Sequence, residues 1–257
     1  MVCGTTGEAS TLSYTEHLYV TEFCCKQVDG RVPVLAGSGS NDTAHAVEQS
    51  KECCKIGADG LLVVTPYYNK TSQDGLVRHY FKIADSASKP IMLYNVPSRT
   101  GMNILPQTYK KLSEHENIAA VKEAGGNISS IAKTAMLCKE DLWIYSGNDD
   151  QIVPILSLGG QGVISVLSNI VPHIVSKICR LFFEGKTQES RNLQLEYFDL
   201  IEAVFCDVNP MPIKFALNAM GFNGGGCRLP LTNISAQNAE LVSAVLKKHK
   251  LIEDDVG

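Results

Sequence analysis

The chain has 257 residues, 44% hydrophobic and 19% charged, with a formal net charge of −4 and nine cysteines. That suits one large globular domain, or one domain with an appendage. The lack of a basic stripe argues against nucleic acid, and the longest apolar runs fall well short of the ~20 residues a membrane span needs. The start shows no basic segment followed by an apolar core, so no secretory leader is predicted. The cysteines include two adjacent pairs and no CxxC, which reads as mostly buried, reduced thiols in a cytoplasmic protein.

Short continuous apolar runs alternate with helix-like stretches. A strand is predicted at 2–3, followed by the turn GTTGE at 4–8, which reads as the entry to a helix. Further strands are predicted at 32–36, 60–65, 90–94, 118–122, 142–146 and 162–166. They are unbroken apolar runs, as parallel strands covered on both faces should be. Helices are predicted between them, among others at 43–54, behind the capping pair Asn41-Asp42, and at 75–87 and 129–138. After residue 166 only helices are predicted, at 171–184, 188–205, 212–220 and 235–249.

Repeated βα units point to a parallel α/β fold. The expected architecture is a (β/α)8 TIM barrel in which seven strands are visible and the first strand and helix are missing, with residues 1–185 as the barrel and 186–257 as a C-terminal helical region. An open doubly wound sheet is the other candidate. It is disfavoured because the chain lacks a GxGxxG, the nearest approach being Gly37-Ser38-Gly39.

In a barrel the chemistry sits at the carboxyl ends of the strands. Those ends carry Thr5-Thr6, Tyr67-Tyr68, Tyr94 to Arg99, Lys122-Glu123, Gly147 and Ile164. Lys122 is the most informative. A lysine inside a buried strand is penalised for its charge, so its pKa should fall, and a neutral amine attacks ketones to form a Schiff base. The plainer alternative is a lysine paired with Glu123 or extending to solvent. Adjacent strand residues point to opposite faces, so Glu123 is poorly placed as its partner.

Tyr94, Tyr68 and Thr5 are hydroxyls at neighbouring strand ends that could pass protons, or simply pack at the rim. Arg99 suits a bidentate grip on a carboxylate or a surface ion pair. Thr6 with the turn amides suits an anion or a plain helix cap. The six histidines are scattered without HxH or HExxH spacing, so no metal is predicted.

Taken together, GTTGE (4–8), TPYYN (65–69), YNVPSRTG (94–101), VKEAGGN (121–127), GVISV (162–166), NPMPIK (209–214) and RLPL (228–231) resemble the dihydrodipicolinate synthase family of class I pyruvate aldolases and lyases, over essentially the whole chain. The lyases of the wider family resemble GSTGE instead and lack an arginine at the place of Arg99. The resemblance implies a (β/α)8 enzyme that condenses pyruvate with aspartate semialdehyde in lysine biosynthesis, with no cofactor beyond a Schiff base of pyruvate on Lys122. It also implies that Tyr94 is the acid/base, that Thr5 bridges Tyr94 to Tyr68, and that Tyr68 comes from a neighbouring subunit. Arg99 would hold the carboxylate of the semialdehyde and Thr6 that of pyruvate, with Gly147 and Ile164 lining the pyruvate pocket. The implied assembly is a homotetramer built from tight dimers.

Many family members are inhibited by lysine. The matching positions are Ser10, Tyr14, His17, Asn41, His45 and Tyr67. His45 departs from the sensitive pattern, which has a glutamate there to meet the effector's ammonium. A histidine is neutral or cationic near neutral pH, so weak or absent feedback is expected. Two other readings stay open at this stage: another pyruvate-dependent aldolase of the same fold, or an inactive truncated homologue that only binds a ligand.

Overall fold

A computed structural model describes residues 1–253; the last four residues of the predicted 186–257 region lie outside these. Six parallel strands form one sheet in sequential order: β1 (Leu35–Gly37), β2 (Gly60–Val64), β3 (Ile91–Asn95), β4 (Ile118–Glu123), β5 (Trp143–Ser146) and β6 (Gly162–Val163). Every neighbouring pair is parallel. The helices are α1 (Tyr14–Val28), α2 (Thr43–Lys55), α3 (Gln73–Ala84), α4 (Pro97–Thr100), α5 (Pro106–Leu112), α6 (Ile128–Cys138), α7 (Ile152–Ser157), α8 (Pro172–Phe183), α9 (Thr187–Glu196), α10 (Phe198–Val204), α11 (Met211–Ala219) and α12 (Ala236–Lys248). Strand and helix alternate through β6, and parallel strands joined by crossover helices are the architecture of an α/β barrel of the TIM type.

The caps explain where several helices start. Ser13 and Glu16 form a reciprocal capping box at α1. Asp42, Ser72 and Asn127 each accept a backbone N–H at the start of α2, α3 and α6.

The chain divides into two compact units. The first holds Met1–Gly4, Leu12–Asn148 and Pro154–Ile164, and so contains the whole sheet. Its strands are apolar on both faces. Leu61, Val63, Leu93 and Val121 are almost completely buried. They alternate with Leu62, Met92, Tyr94 and Ala120, which form a cluster with Leu35, Val64, Tyr145 and Ile164 packed against it. The second unit holds Thr5–Thr11, Asp149–Val153 and the chain from Ser165 on, including α8 to α12.

Several boundaries differ from the sequence reading, each for a visible reason. The first predicted strand shrinks to a single parallel bridge of Val2 with Ala36, because Cys3 takes a left-handed φ of 52° that ends extended pairing. The GTTGE turn leads into a three-residue 3-10 helix, Ala9–Thr11, and the α-helix starts only at Tyr14. The last strand stops at Val163. Ile164 N–H still bonds to the Ser146 carbonyl, but Val166 is helical and its N–H goes to the carboxylate of Asp149. The helix predicted at 188–205 is two helices separated at Tyr197.

The cysteines are less buried than expected. All nine are free thiols, but only Cys3, Cys53 and Cys138 are buried, the other six being half-buried. Burial pushes the Cys53 thiol up to about 12. No described helix is long and apolar enough to cross a membrane.

Candidate active site

β3 and β4 run in register with Tyr94 opposite Lys122 and Asn95 opposite Glu123, and Lys122 faces Tyr145 on the other side, in β5. Both Lys122 and Tyr94 are buried, at 8% and 7% exposure. Lys122 Nζ lies 4.2 Å from the centroid of the Tyr94 ring, within the reach of a cation–π contact. They are the penultimate residues of β3 and β4, at the carboxyl ends of the strands, where an α/β barrel carries its chemistry.

Gly147 and Ile164 belong to the same neighbourhood. A Cβ on Gly147 would sit 2.7 Å from Ala124 Cβ and 3.1 Å from both the Glu123 carbonyl and Lys122 Cγ. Only glycine lets the β5–α7 connection pass this close to the lysine stem. Ile164 packs against the cluster that contains Tyr94. So Lys122, Tyr94, Gly147 and Ile164 come together in the structure. Tyr145, which joins them, has no motif signal of its own. Burial raises its phenol pKa.

Beneath Lys122 the next residue organises a polar cluster that motif reading missed. The carboxylate of Glu123 accepts from Tyr109 Oη at 2.6 Å, from the Gly125 amide at 2.6 Å and from Asn95 Nδ2 at 3.0 Å. Asn95 Nδ2 also donates to Asn103 Oδ1, and Asn95 Oδ1 accepts from the Ile104 amide. Burial raises the Glu123 pKa against the pull of these donors.

The remaining predicted positions are more scattered. Tyr68 is 91% exposed and adopts a φ of 66°. Arg99 is exposed on the short helix α4, just past Tyr94 on β3. Three residues before Tyr68 in the chain, the Thr65 hydroxyl is buried and donates to Thr100 Oγ1.

Thr5 and Thr6 lie half-buried in the second unit. The Thr5 carbonyl accepts from the Glu8 amide, and Thr6 Oγ1 accepts from Asn209 Nδ2 at 3.0 Å. Glu8 then anchors the turn. Its carboxylate accepts from Lys214 Nζ at 2.5 Å and from the Arg228 amide at 2.8 Å, and Arg228 Nη1 donates to the Thr11 carbonyl. Burial alone would raise the Glu8 pKa, but Lys214 and Arg228 overcome it and hold the carboxyl below its usual range.

Of the proposed lysine-site residues, Tyr14 and His45 have ring centroids 5.9 Å apart. His17 is buried, and burial lowers its pKa, with a smaller contribution from His45. Asn41 accepts from Asn69 Nδ2 through its carbonyl, and Tyr67 is 39% exposed. Ser10 lies in the 3-10 helix of the second unit. Among the described residues, no group of three or more His, Cys, Asp or Glu could hold a metal ion.

Fold and site define a class: an α/β-barrel chain with a buried lysine and a tyrosine side by side at the carboxyl end of its parallel sheet. The chain belongs to the dihydrodipicolinate synthetase family, whose sequence model matches residues 1–249. It is 56% identical over 246 residues to the 4-hydroxy-tetrahydrodipicolinate synthase of Caldicellulosiruptor saccharolyticus, covering 96% of this chain and 83% of that protein. A crystal structure of dihydrodipicolinate synthase from Thermotoga maritima superposes with a TM-score of 0.95 at 40% identity, covering 98% of this chain and 86% of that one. The Cyanidioschyzon merolae enzyme with lysine bound superposes equally well, also at 0.95 and 40%, with 98% and 86% covered.

Proposed function

We propose that this chain condenses pyruvate with L-aspartate 4-semialdehyde to give 4-hydroxy-tetrahydrodipicolinate, the step that commits carbon to diaminopimelate and lysine. The observation that carries this reading is the buried Lys122, register partner of Tyr94, in a chain of this family.

Lys122 Nζ, as the free amine, attacks the ketone carbon of pyruvate. The carbinolamine oxygen leaves as water after accepting a proton, and a protonated imine remains on Lys122. Tyr94 supplies and recovers that proton, and Thr5 relays protons between Tyr94 and Tyr68. Loss of a proton from the pyruvate methyl gives an enamine, whose carbon attacks the aldehyde of the second substrate. The amino group of that substrate then attacks the imine carbon and displaces Lys122, so the net reaction releases one water.

Thr6 holds the pyruvate carboxylate and Arg99 that of the semialdehyde, a bidentate task to which a guanidinium is suited. Gly147 leaves room beside the lysine stem, and Ile164 supplies an apolar wall. No metal or organic cofactor takes part in this scheme.

The exposed, left-handed Tyr68 supports its insertion into a neighbouring subunit, within a homotetramer of tight dimers. A cytoplasmic location fits these substrates. The parallel six-stranded sheet and the Val2 bridge support a (β/α)8 barrel, and the proposed division is a barrel over residues 1–185 followed by a helical region over 186–257.

The test is product formation from the two substrates, followed through a coupled reductase. Turnover that requires both substrates supports the reading. Cleavage or condensation of pyruvate with a different aldehyde, and none with the semialdehyde, contradicts it.

A further inference from the structure

We infer that Glu123 is a positioning residue for the reaction: by clamping Asn95 across the strand pair, it fixes the register in which Lys122 and Tyr94 meet. This rests on the reading of Lys122 and Tyr94 as the reacting pair.

The geometry is that of two strands pinned at adjacent residues. Lys122 is opposite Tyr94, and one residue later Glu123 is opposite Asn95. Side chains alternate along a strand, so a bond between the second pair, on one side of the sheet, sets the relation of the first pair on the other. Asn95 Nδ2 makes that bond, reaching both carboxylate oxygens of Glu123 at 3.0 and 3.2 Å.

The clamp is itself held. Tyr109, from α5, donates to Glu123 at 2.6 Å. The Gly125 amide donates at 2.6 Å, and a Cβ on Gly125 would stand 2.7 Å from Glu123 Oε1. Asn103 and the Ile104 amide fix both ends of the Asn95 amide. A buried carboxylate this well supplied with donors is costly to assemble and rigid once assembled. An apolar pair would fill the same space, so a stability role alone leaves this buried carboxylate with its neutral donors without a reason. A displacement of 1 Å between reacting groups can cost about a hundredfold in rate, which gives it one.

The experiment compares the parent with Glu123→Gln and Tyr109→Phe in the full chain. The glutamine keeps the shape but replaces one acceptor oxygen by a donor, and the phenylalanine withdraws one donor. Melting curves are recorded with kcat and KM for pyruvate well below the melting temperature, and with borohydride trapping of pyruvate. Expected for Glu123→Gln is a fall in kcat of about 10- to 100-fold, with KM for pyruvate within about threefold of the parent, because the pyruvate carboxylate is held elsewhere. Tyr109→Phe should fall in the same direction by about 2- to 10-fold.

If both variants melt earlier yet keep kcat within about twofold, the cluster is structural only and the inference fails. If Glu123→Gln does not fold, Tyr109→Phe decides by the same criterion. Failure of the parent itself to form an adduct on Lys122 would remove the underlying reading, a result separable from a parent that traps and variants that are unaffected.

Discussion

Lys122 Nζ stands 4.2 Å from the centre of the Tyr94 ring, and the two residues are direct partners across parallel strands. The contact uses the face of the ring, whereas the proposed chemistry uses the hydroxyl. Tyr94→Phe separates the two. The ring and its contact with Lys122 Nζ persist, and only the phenolic hydroxyl is lost. Steady-state assays should show kcat reduced by about 10² to 10⁴, with melting close to that of the parent. Activity within about threefold of the parent would assign the proton transfers to another group.

The turn that carries Thr5 and Thr6 should be acid-sensitive. Lys214 and Arg228 hold the Glu8 carboxyl below its unfolded value. A carboxyl of this kind stabilises the folded state above its unfolded pKa, and that contribution is lost as the pH falls through the lower, folded one. Urea unfolding should therefore show Glu8→Gln less stable than the parent by about 1.5 to 3 kcal/mol at pH 7, the worth of hydrogen bonds to a charged group. The gap should begin to narrow as the pH falls below about 4, where the unfolded carboxyl becomes protonated, and close only below the depressed folded value. A gap that persists unchanged at pH 3 would mean that Glu8 acts through packing rather than charge.

Feedback by lysine should be weak or absent. The His45 ring lies against that of Tyr14, so position 45 presents an imidazole rather than a carboxylate to an ammonium group, the nearest carboxylates acting on Tyr14 being those of Glu48 and Glu52. Calorimetric titration with lysine should give no tight binding, and His45→Glu should strengthen it by about tenfold or more, the worth of one close charge pair. Tight, inhibitory binding to the parent would show that another acidic group meets the effector.

The sequence made the strand order and the strand-end motifs legible because parallel strands are apolar on both faces and end in polar residues. Lys122 is conspicuous for that reason: a cation in a run that is otherwise apolar. What stayed hidden are relations between residues far apart in sequence. Glu123 could be excluded as the obvious partner of Lys122, but its actual partners, Asn95, Tyr109 and Gly125, are set by sheet register and by the docking of α5. The tie from Asn209 to Thr6 spans 203 positions, and local patterning carries no trace of it. The strand ends were misjudged where a single backbone angle decides, as at Cys3, or where a distant carboxylate captures an amide, as Asp149 does at Val166.

The central claim is that Lys122 is the nucleophile, and one measurement reaches it directly. The protein is incubated with pyruvate, reduced with borohydride, digested and mapped by mass spectrometry. The account predicts a single modified peptide with the adduct on Lys122, carrying the mass of pyruvate less one water plus two hydrogens, and no adduct in Lys122→Ala. An adduct on any other lysine, or undiminished trapping in Lys122→Ala, would contradict it.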